Sequence, residues 1–243
     1  MRAEGEGLLS MAATHTIAVP RLAAFEASAA GAMLALDWLD FAAPDPGFGA
    51  RLGERLAALH AWPQPRFGWE HDNYIGATLQ RNGWTLADTL ADWIGFWRDK
   101  HLVPMRAALA RRGAGIALLE EVDAVGDSLL TLFADGHQPR PSLIHGDLWS
   151  GNRAMLANGE PVIYDPAVSV SDAEAELAMM ELFGSPPAGF WPAYQAGFAL
   201  HEGYVRRRGL YQLYHLLNHA LLFGGGYAQQ ALRCARALRS TMS

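Results

Sequence analysis

The chain has 243 residues, 51% hydrophobic and 18% charged, with a formal net charge of −6. That is enough apolar material for a sizeable core, and with no basic stripe it argues against a nucleic-acid partner. The single cysteine, Cys234, rules out an intrachain disulfide framework and suits a reducing compartment. It sits in a helical pattern and reads as a buried or half-buried structural thiol. The acidic start lacks a signal-peptide shape, no apolar run has membrane-spanning length, and no Cys/His cluster has zinc spacing. A soluble, cytoplasmic protein with no membrane partner is expected.

Residues 3–14 read as a helix, followed by two strands at 22–27 and 31–36 joined by the small residues Ser28 to Gly31. The Pro- and Gly-rich run from Phe41 to Gly49 reads as a loop. Leu52, Leu56 and Leu59 recur at helical spacing and predict a helix over 50–61. Residues 62–84 show no period and read as an ordered loop. Thr85, with Asp88 three residues on, resembles a capping box for a helix facing Leu86, Leu90, Trp93, Ile94 and Trp97 inward. A helix over 116–133 follows. Ser142-Leu143-Ile144 and Pro161-Val162-Ile163-Tyr164 are short apolar runs between turn signals and predict buried strands. Helices are expected near 173–183, 190–198, 203–223 and 226–240. Arg206-Arg207-Arg208, the densest basic run, reads as a solvated helix face.

The chemistry concentrates in His145-Gly146-Asp147-Leu148-Trp149-Ser150-Gly151-Asn152 and in Val162-Ile163-Tyr164-Asp165-Pro166-Ala167. Asn152 lies five residues after Asp147, and Asp165 thirteen after Asn152, at the end of the second strand. This is the spacing of a kinase catalytic loop and its metal-binding aspartate. Phosphoryl transfer needs an oriented acceptor hydroxyl and neutralised phosphate oxygens. A carboxylate facing the hydroxyl supplies the first; oxygen ligands for Mg²⁺ supply the second. Asp147 is therefore the expected catalytic base, with Asn152 and Asp165 as Mg²⁺ ligands. His145 reads as a brace for the loop backbone. Gly146 stands where protein kinases usually carry Arg, so no phosphorylation-controlled activation loop is inferred.

His-Gly-Asp-Leu-Trp-Ser-Gly-Asn followed by Asp-Pro-Ala is similar to the signature of the fructosamine/ketosamine-3-kinase family, a branch of the aminoglycoside-phosphotransferase-like kinases. Asn73-Tyr74-Ile75-Gly76 with Asn82-Gly83-Trp84, the Glu174–Met179 helix, and Leu217-Asn218-His219 with Phe223-Gly224-Gly225-Gly226-Tyr227 agree with it. The resemblance runs from about residue 3 to 229. It implies an α+β, protein-kinase-like two-lobed fold. Residues 1–41 would be the remnant of an ATP-binding N-lobe (helix, strands and hinge), and 42–243 a mainly helical catalytic C-lobe. It implies MgATP as cofactor and a small-molecule ketosamine or glycated amine as partner, phosphorylated on its sugar 3-hydroxyl in deglycation. Leu36-Asp37-Trp38-Leu39 resembles the hinge, where backbone groups of Asp37 and Leu39 hold adenine. Trp149 and His219 resemble substrate-pocket residues, although Trp149 packing its own loop and His219 as an ordinary helix histidine are the competing readings.

Two departures from the family stand out. Asp172 occupies a position where the family often has His. Glu4 aligns with the glutamate that pairs the ATP-binding lysine, yet no lysine precedes it, and Lys100 is the first in the chain. The N-lobe is thus expected to be incomplete, either because the chain starts at an internal Met of a longer protein, the favoured account, or because it is a genuine truncation with impaired activity. Two functions compete with a ketosamine kinase: an aminoglycoside- or choline-type kinase, which Trp149 and Pro166-Ala167 disfavour, and a non-catalytic pseudokinase.

Overall fold

Short apolar runs and helical periodicities alternate along the chain, and the structure, a computed structural model describing residues 1–29 and 31–242, follows them. In chain order it comprises α1 (Arg2–Ala12), β1 (Leu22–Ser28), β2 (Gly31–Leu36), β3 (Phe41–Ala42), α2 (Phe48–Ala61), β4 (Asn73–Ile75), β5 (Thr78–Gln80) and α3 (Leu90–Phe96). A π-helical turn (Trp97–Leu102) leads into α4 (Val103–Arg111) and α5 (Ile116–Asp127), with a 3₁₀ turn at Leu129–Phe133. Then come β6 (Pro141–Ile144), a 3₁₀ turn (Ser150–Asn152), β7 (Arg153–Leu156), β8 (Pro161–Ile163) and β9 (Ser169–Asp172). Four helices close the chain: α6 (Ala173–Leu182), α7 (Phe190–Gly197), α8 (Tyr204–Phe223) and α9 (Gly226–Met242). Ala30, in the expected Ser28–Gly31 connection, lies outside the described residues.

The chain divides into two compact units, each made of two stretches. The first holds Met1–Gln64 and Ser142–Leu200. Here β1 and β2 form an antiparallel hairpin with Phe25 opposite Leu34, and α1 lies against it. β7 pairs antiparallel with both β3 and β8, and Ala18 bridges to Val162. β6 pairs with β9. The leucines of α2 are fully buried, as their spacing predicts. Gly49 and Gly53 let α2 approach α7 closely: a Cβ on Gly53 would stand 2.5 Å from the Phe190 carbonyl oxygen, and one on Gly49 2.0 Å from that of Ala188.

The second unit holds Pro65–Pro141 and His201–Ser243. Its core is aromatic: Trp93 packs 4.7 Å from Phe67, and Tyr211 of α8 meets Trp97 edge-on at 5.0 Å between ring centroids. Residues 62–84 are not wholly loop but contain the β4–β5 hairpin. Gln80 and Asn82 both donate to the buried Asn73 Oδ1, at 3.0 and 2.6 Å. The cap of α3 is Thr89, whose Oγ1 accepts from Asp92 N–H; Thr85 instead ties Phe67 and Ala87, and Leu86 is 94% exposed. The expected 116–133 helix stops at Asp127 and continues as the 3₁₀ turn. Arg206–Arg208 is not a uniformly solvated face. Arg207 is buried and paired with Asp135 at 2.5 Å, its guanidinium over the Phe133 ring. Cys234 is half-buried; its thiol donates to Gly209 O at 3.3 Å, and burial pushes its pKa up to about 11. Among the described residues no helix is long and apolar enough to cross a membrane.

Candidate active site

The buried strand β6 delivers the chain into the His145–Asn152 loop. Gly146 turns at φ +83°, and a Cβ there would stand 2.2 Å from the Ala167 carbonyl oxygen, so the two segments meet only with glycine in that place. His145 is buried and braces both sides. Its Nε2 lies 2.7 Å from Tyr164 O, and its Nδ1 accepts the Asp147 N–H at 3.3 Å. A carbonyl only accepts and an amide only donates, so the proton sits on Nε2. Burial holds the imidazole's pKa below its ordinary value, which matches a neutral brace. Its own carbonyl accepts from Ala167 N–H at 2.8 Å.

Glu176 of α6 completes the brace, and sequence reasoning assigned it no role. Its buried carboxylate accepts from His145 N–H at 2.5 Å and from Gly146 N–H at 3.1 Å. Its signal in the sequence is a carboxylate in an otherwise apolar helix run, Ala175-Glu176-Leu177-Ala178-Met179-Met180, where solvation cannot explain it. Asp172 caps the same helix, its Oδ1 accepting from Glu174 N–H at 3.2 Å.

The structure brings Asp147, Asn152 and Asp165 together. Asn152 Nδ2 donates to Asp147 O at 2.8 Å, and Asn152 O accepts from Tyr164 N–H at 3.1 Å, which binds the loop to the end of β8. Asp165 adopts left-handed backbone, φ +58°, uncommon for a residue with a side chain. Asp147 is half-buried, and its pKa is raised to about 7, first by burial and then by the charges of Glu176 and Asp165. Among the described residues, no cation is paired with Asp147 or Asp165. The loop therefore gathers carboxylate and amide oxygens without an internal counter-charge.

The other expected residues belong to the same unit as this loop or to the second unit. Glu4 is half-buried on α1, 3.6 Å from the Met1 amino group. Its helix rests on the segment after Asp165, where a Cβ on Gly7 would stand 2.9 Å from Val168 Cγ1 and 3.3 Å from Pro166 Cγ. Asp37 donates its N–H to Arg21 O, and its carboxylate accepts from the Arg21 guanidinium at 2.7 and 3.0 Å. Its carbonyl and the Leu39 amide are engaged by no other backbone group among the described residues. Trp149 lies across Gly151, where a Cβ would stand 2.3 Å from its ring, and remains 40% exposed. His219 belongs to the second unit. Its Nδ1 lies 2.8 Å from His215 O, and its ring is near Phe223 and Tyr227, at 5.5 and 5.1 Å.

Fold and loop together define a phosphotransferase of the protein-kinase-like class. An ADP-bound aminoglycoside phosphotransferase superposes with a TM-score of 0.59, covering 98% of this chain and 83% of its own at 11% identity, which shows the shared fold. The chain belongs to the fructosamine kinase family, whose profile matches residues 1–240. A probable ketoamine kinase of Synechocystis is 48% identical over 231 residues, 95% of this chain and 75% of the relative. A candidate fructosamine-3-kinase from Thermobifida fusca, solved by crystallography, superposes with a TM-score of 0.87 at 34% identity, covering 98% of this chain and 80% of that one. The protein is thus a fructosamine-3-kinase-like enzyme, as its loop signature led us to expect.

Proposed function

We propose that the enzyme transfers the γ-phosphate of ATP to the sugar 3-hydroxyl of a ketosamine, with Asp147 as the base. The observation that carries this reading is the convergence of Asp147, Asn152 and Asp165, with an Asp147 carboxyl already inclined to hold a proton. Asp147 accepts the hydroxyl proton as the new oxygen–phosphorus bond forms and the bond to the departing diphosphate breaks. The donor set fits Mg²⁺. Asn152 commits its nitrogen to Asp147 O and keeps its amide oxygen as an acceptor, and Asp165 offers an unpaired carboxylate. When bound, Mg²⁺ offsets the negative charge of the phosphates. The left-handed backbone of Asp165 is the kind of local strain that persists at functional positions.

Residues 1–41 serve as the nucleotide-binding lobe and 42–243 as the catalytic lobe. The Asp37 carbonyl and Leu39 amide hold adenine, and Glu4 orients the lysine on the triphosphate. Trp149 contacts the ketosamine. Residues 1–243 by themselves supply no lysine before Glu4, so their turnover is expected to be low and to rise when an upstream segment carrying one is joined. The enzyme works in the cytoplasm.

The test compares two variants. With an upstream lysine-bearing segment joined, Asp147→Asn leaves MgATP affinity by calorimetry nearly unchanged and lowers turnover of a fructosyl-amino acid by roughly 10²–10⁴. Asp165→Ala weakens MgATP binding itself, because a metal ligand is lost. Equal and mild effects from both would mean that the cluster is structural.

A further inference from the structure

The second unit contains a cavity of about 510 Å³ bordered by β5, the π-helical turn, α4 and the C-terminal half of α8. Four cations line it, Arg81, Lys100, Arg111 and Arg112, above apolar side chains that include Met105 and Leu222, and no carboxylate lines it. Arg81 is partly compensated by Asp72 at 3.4 Å. Lys100, Arg111 and Arg112 form no ion pair among the described residues, although the charge of Lys100 acts on neighbouring Asp99. Lys100 is the only lysine in the chain. Lys100 and His101 enter the cavity from the π-helical turn, a geometry that is rare and tends to mark functional positions.

We infer that this cavity binds a small organic phosphate, its phosphoryl group held by Lys100, Arg111 and Arg112 and its body on the apolar floor. Neighbouring guanidinium groups match the oxygens of a phosphoryl group in bidentate fashion, and an ammonium adds a compact charge. The cavity volume suits a ligand of sugar-phosphate size. None of the residues proposed for phosphoryl transfer takes part, so the site stands or falls independently of that reading. The competing explanation for Arg111 and Arg112 is that they only complement the C-terminal end of α4.

Because the chain has one lysine, reductive ¹³C-methylation, which keeps the charge, yields a single dimethyl-lysine NMR signal beside that of the α-amine. The modified protein is titrated at constant ionic strength with sodium chloride, inorganic phosphate, fructose 6-phosphate and fructose. A saturable shift of the Lys100 signal with fructose 6-phosphate is expected, weaker with inorganic phosphate and absent with fructose and chloride, while the α-amine signal stays put. Arg111→Gln and Arg112→Gln, both exposed and expected to fold, should each weaken binding about tenfold. A Lys100 signal that phosphates move no more than chloride does would overturn the site. So would arginine variants that lower Tm yet leave the phosphate titration unchanged, the result expected of groups that serve only the helix end.

Discussion

Asp147 lies where burial and two neighbouring carboxylates disfavour its negative charge, so the folded, metal-free protein holds a proton there that the unfolded chain releases at much lower pH. Between the ordinary value of 3.8 and about 7, the folded state binds more protons than the unfolded one. Stability therefore falls as pH rises through that window, and the loss is complete above it. In EDTA, Asp147→Asn should raise unfolding stability at pH 8 by roughly 1–3 kcal/mol, with the gain shrinking toward pH 4. Urea unfolding at the two pH values measures this; a gain independent of pH would show that neither burial nor the neighbouring charges raise the Asp147 pKa. Glu176 acts as an anchor, its carboxylate accepting from two backbone donors. Glu176→Ala leaves both buried N–H groups unsatisfied and should cost about 2–4 kcal/mol by the same measurement. It should also lower turnover by displacing the Asp147 loop, whereas a purely surface role would change neither quantity.

At the scale of elements, the legible parts were those with a strong local signal. The leucine spacing of α2, the buried strands β6 and β8, and the four closing helices stand close to where periodicity put them. What the sequence concealed was short or decided by packing. β4 and β5 have three residues each and no alternation long enough to see. Thr85-x-x-Asp88 and Thr89-x-x-Asp92 carry the same capping pattern, and only the second is used, because Thr85 is drawn into bonds with Phe67. The π-helical turn has no known residue pattern to betray it. Gly49 and Gly53 show packing overriding propensity. In an isolated helix, glycine to alanine stabilises by about 1 kcal/mol. Here the added methyl groups would run into backbone atoms of Pro187, Ala188, Phe190 and Tyr194. Gly53→Ala and Gly49→Ala should each destabilise by about 1–3 kcal/mol as α2 is pushed off α7, read as a lowered urea midpoint with unchanged slope. A stabilising result for either would mean that the helices separate without strain.

For the whole molecule, the kinase-like fold and the proximity of Asp147, Asn152 and Asp165 were readable because those residue types stand at the fixed offsets of a kinase catalytic loop. Glu176 was not, because an anchor is defined by what it holds rather than by its spacing. The same division bears on substrate choice. Under the reading proposed above, selectivity rests on the side chains around the loop, and Trp149, two residues after Asp147, is the aromatic one there. Its indole is fixed by lying across Gly151, yet 40% of the residue stays exposed and able to cover a ligand. A flat aromatic surface suits a sugar ring carrying an amine, because it offers apolar contact and attraction for the cation together. At physiological salt, calorimetry with residues 1–243 should therefore detect a fructosyl-amino acid and give no heat with choline or an aminoglycoside. Trp149→Ala should weaken fructosyl-amino acid binding about tenfold while leaving MgATP binding unchanged, since losing an aromatic contact of this kind costs on the order of 1–2 kcal/mol. Binding is the right readout, because it does not depend on how fast this polypeptide turns over. Preferential binding of choline or the aminoglycoside would move the enzyme's substrate class away from ketosamines. Undiminished fructosyl-amino acid binding by the Trp149 variant would return that residue to packing its own loop.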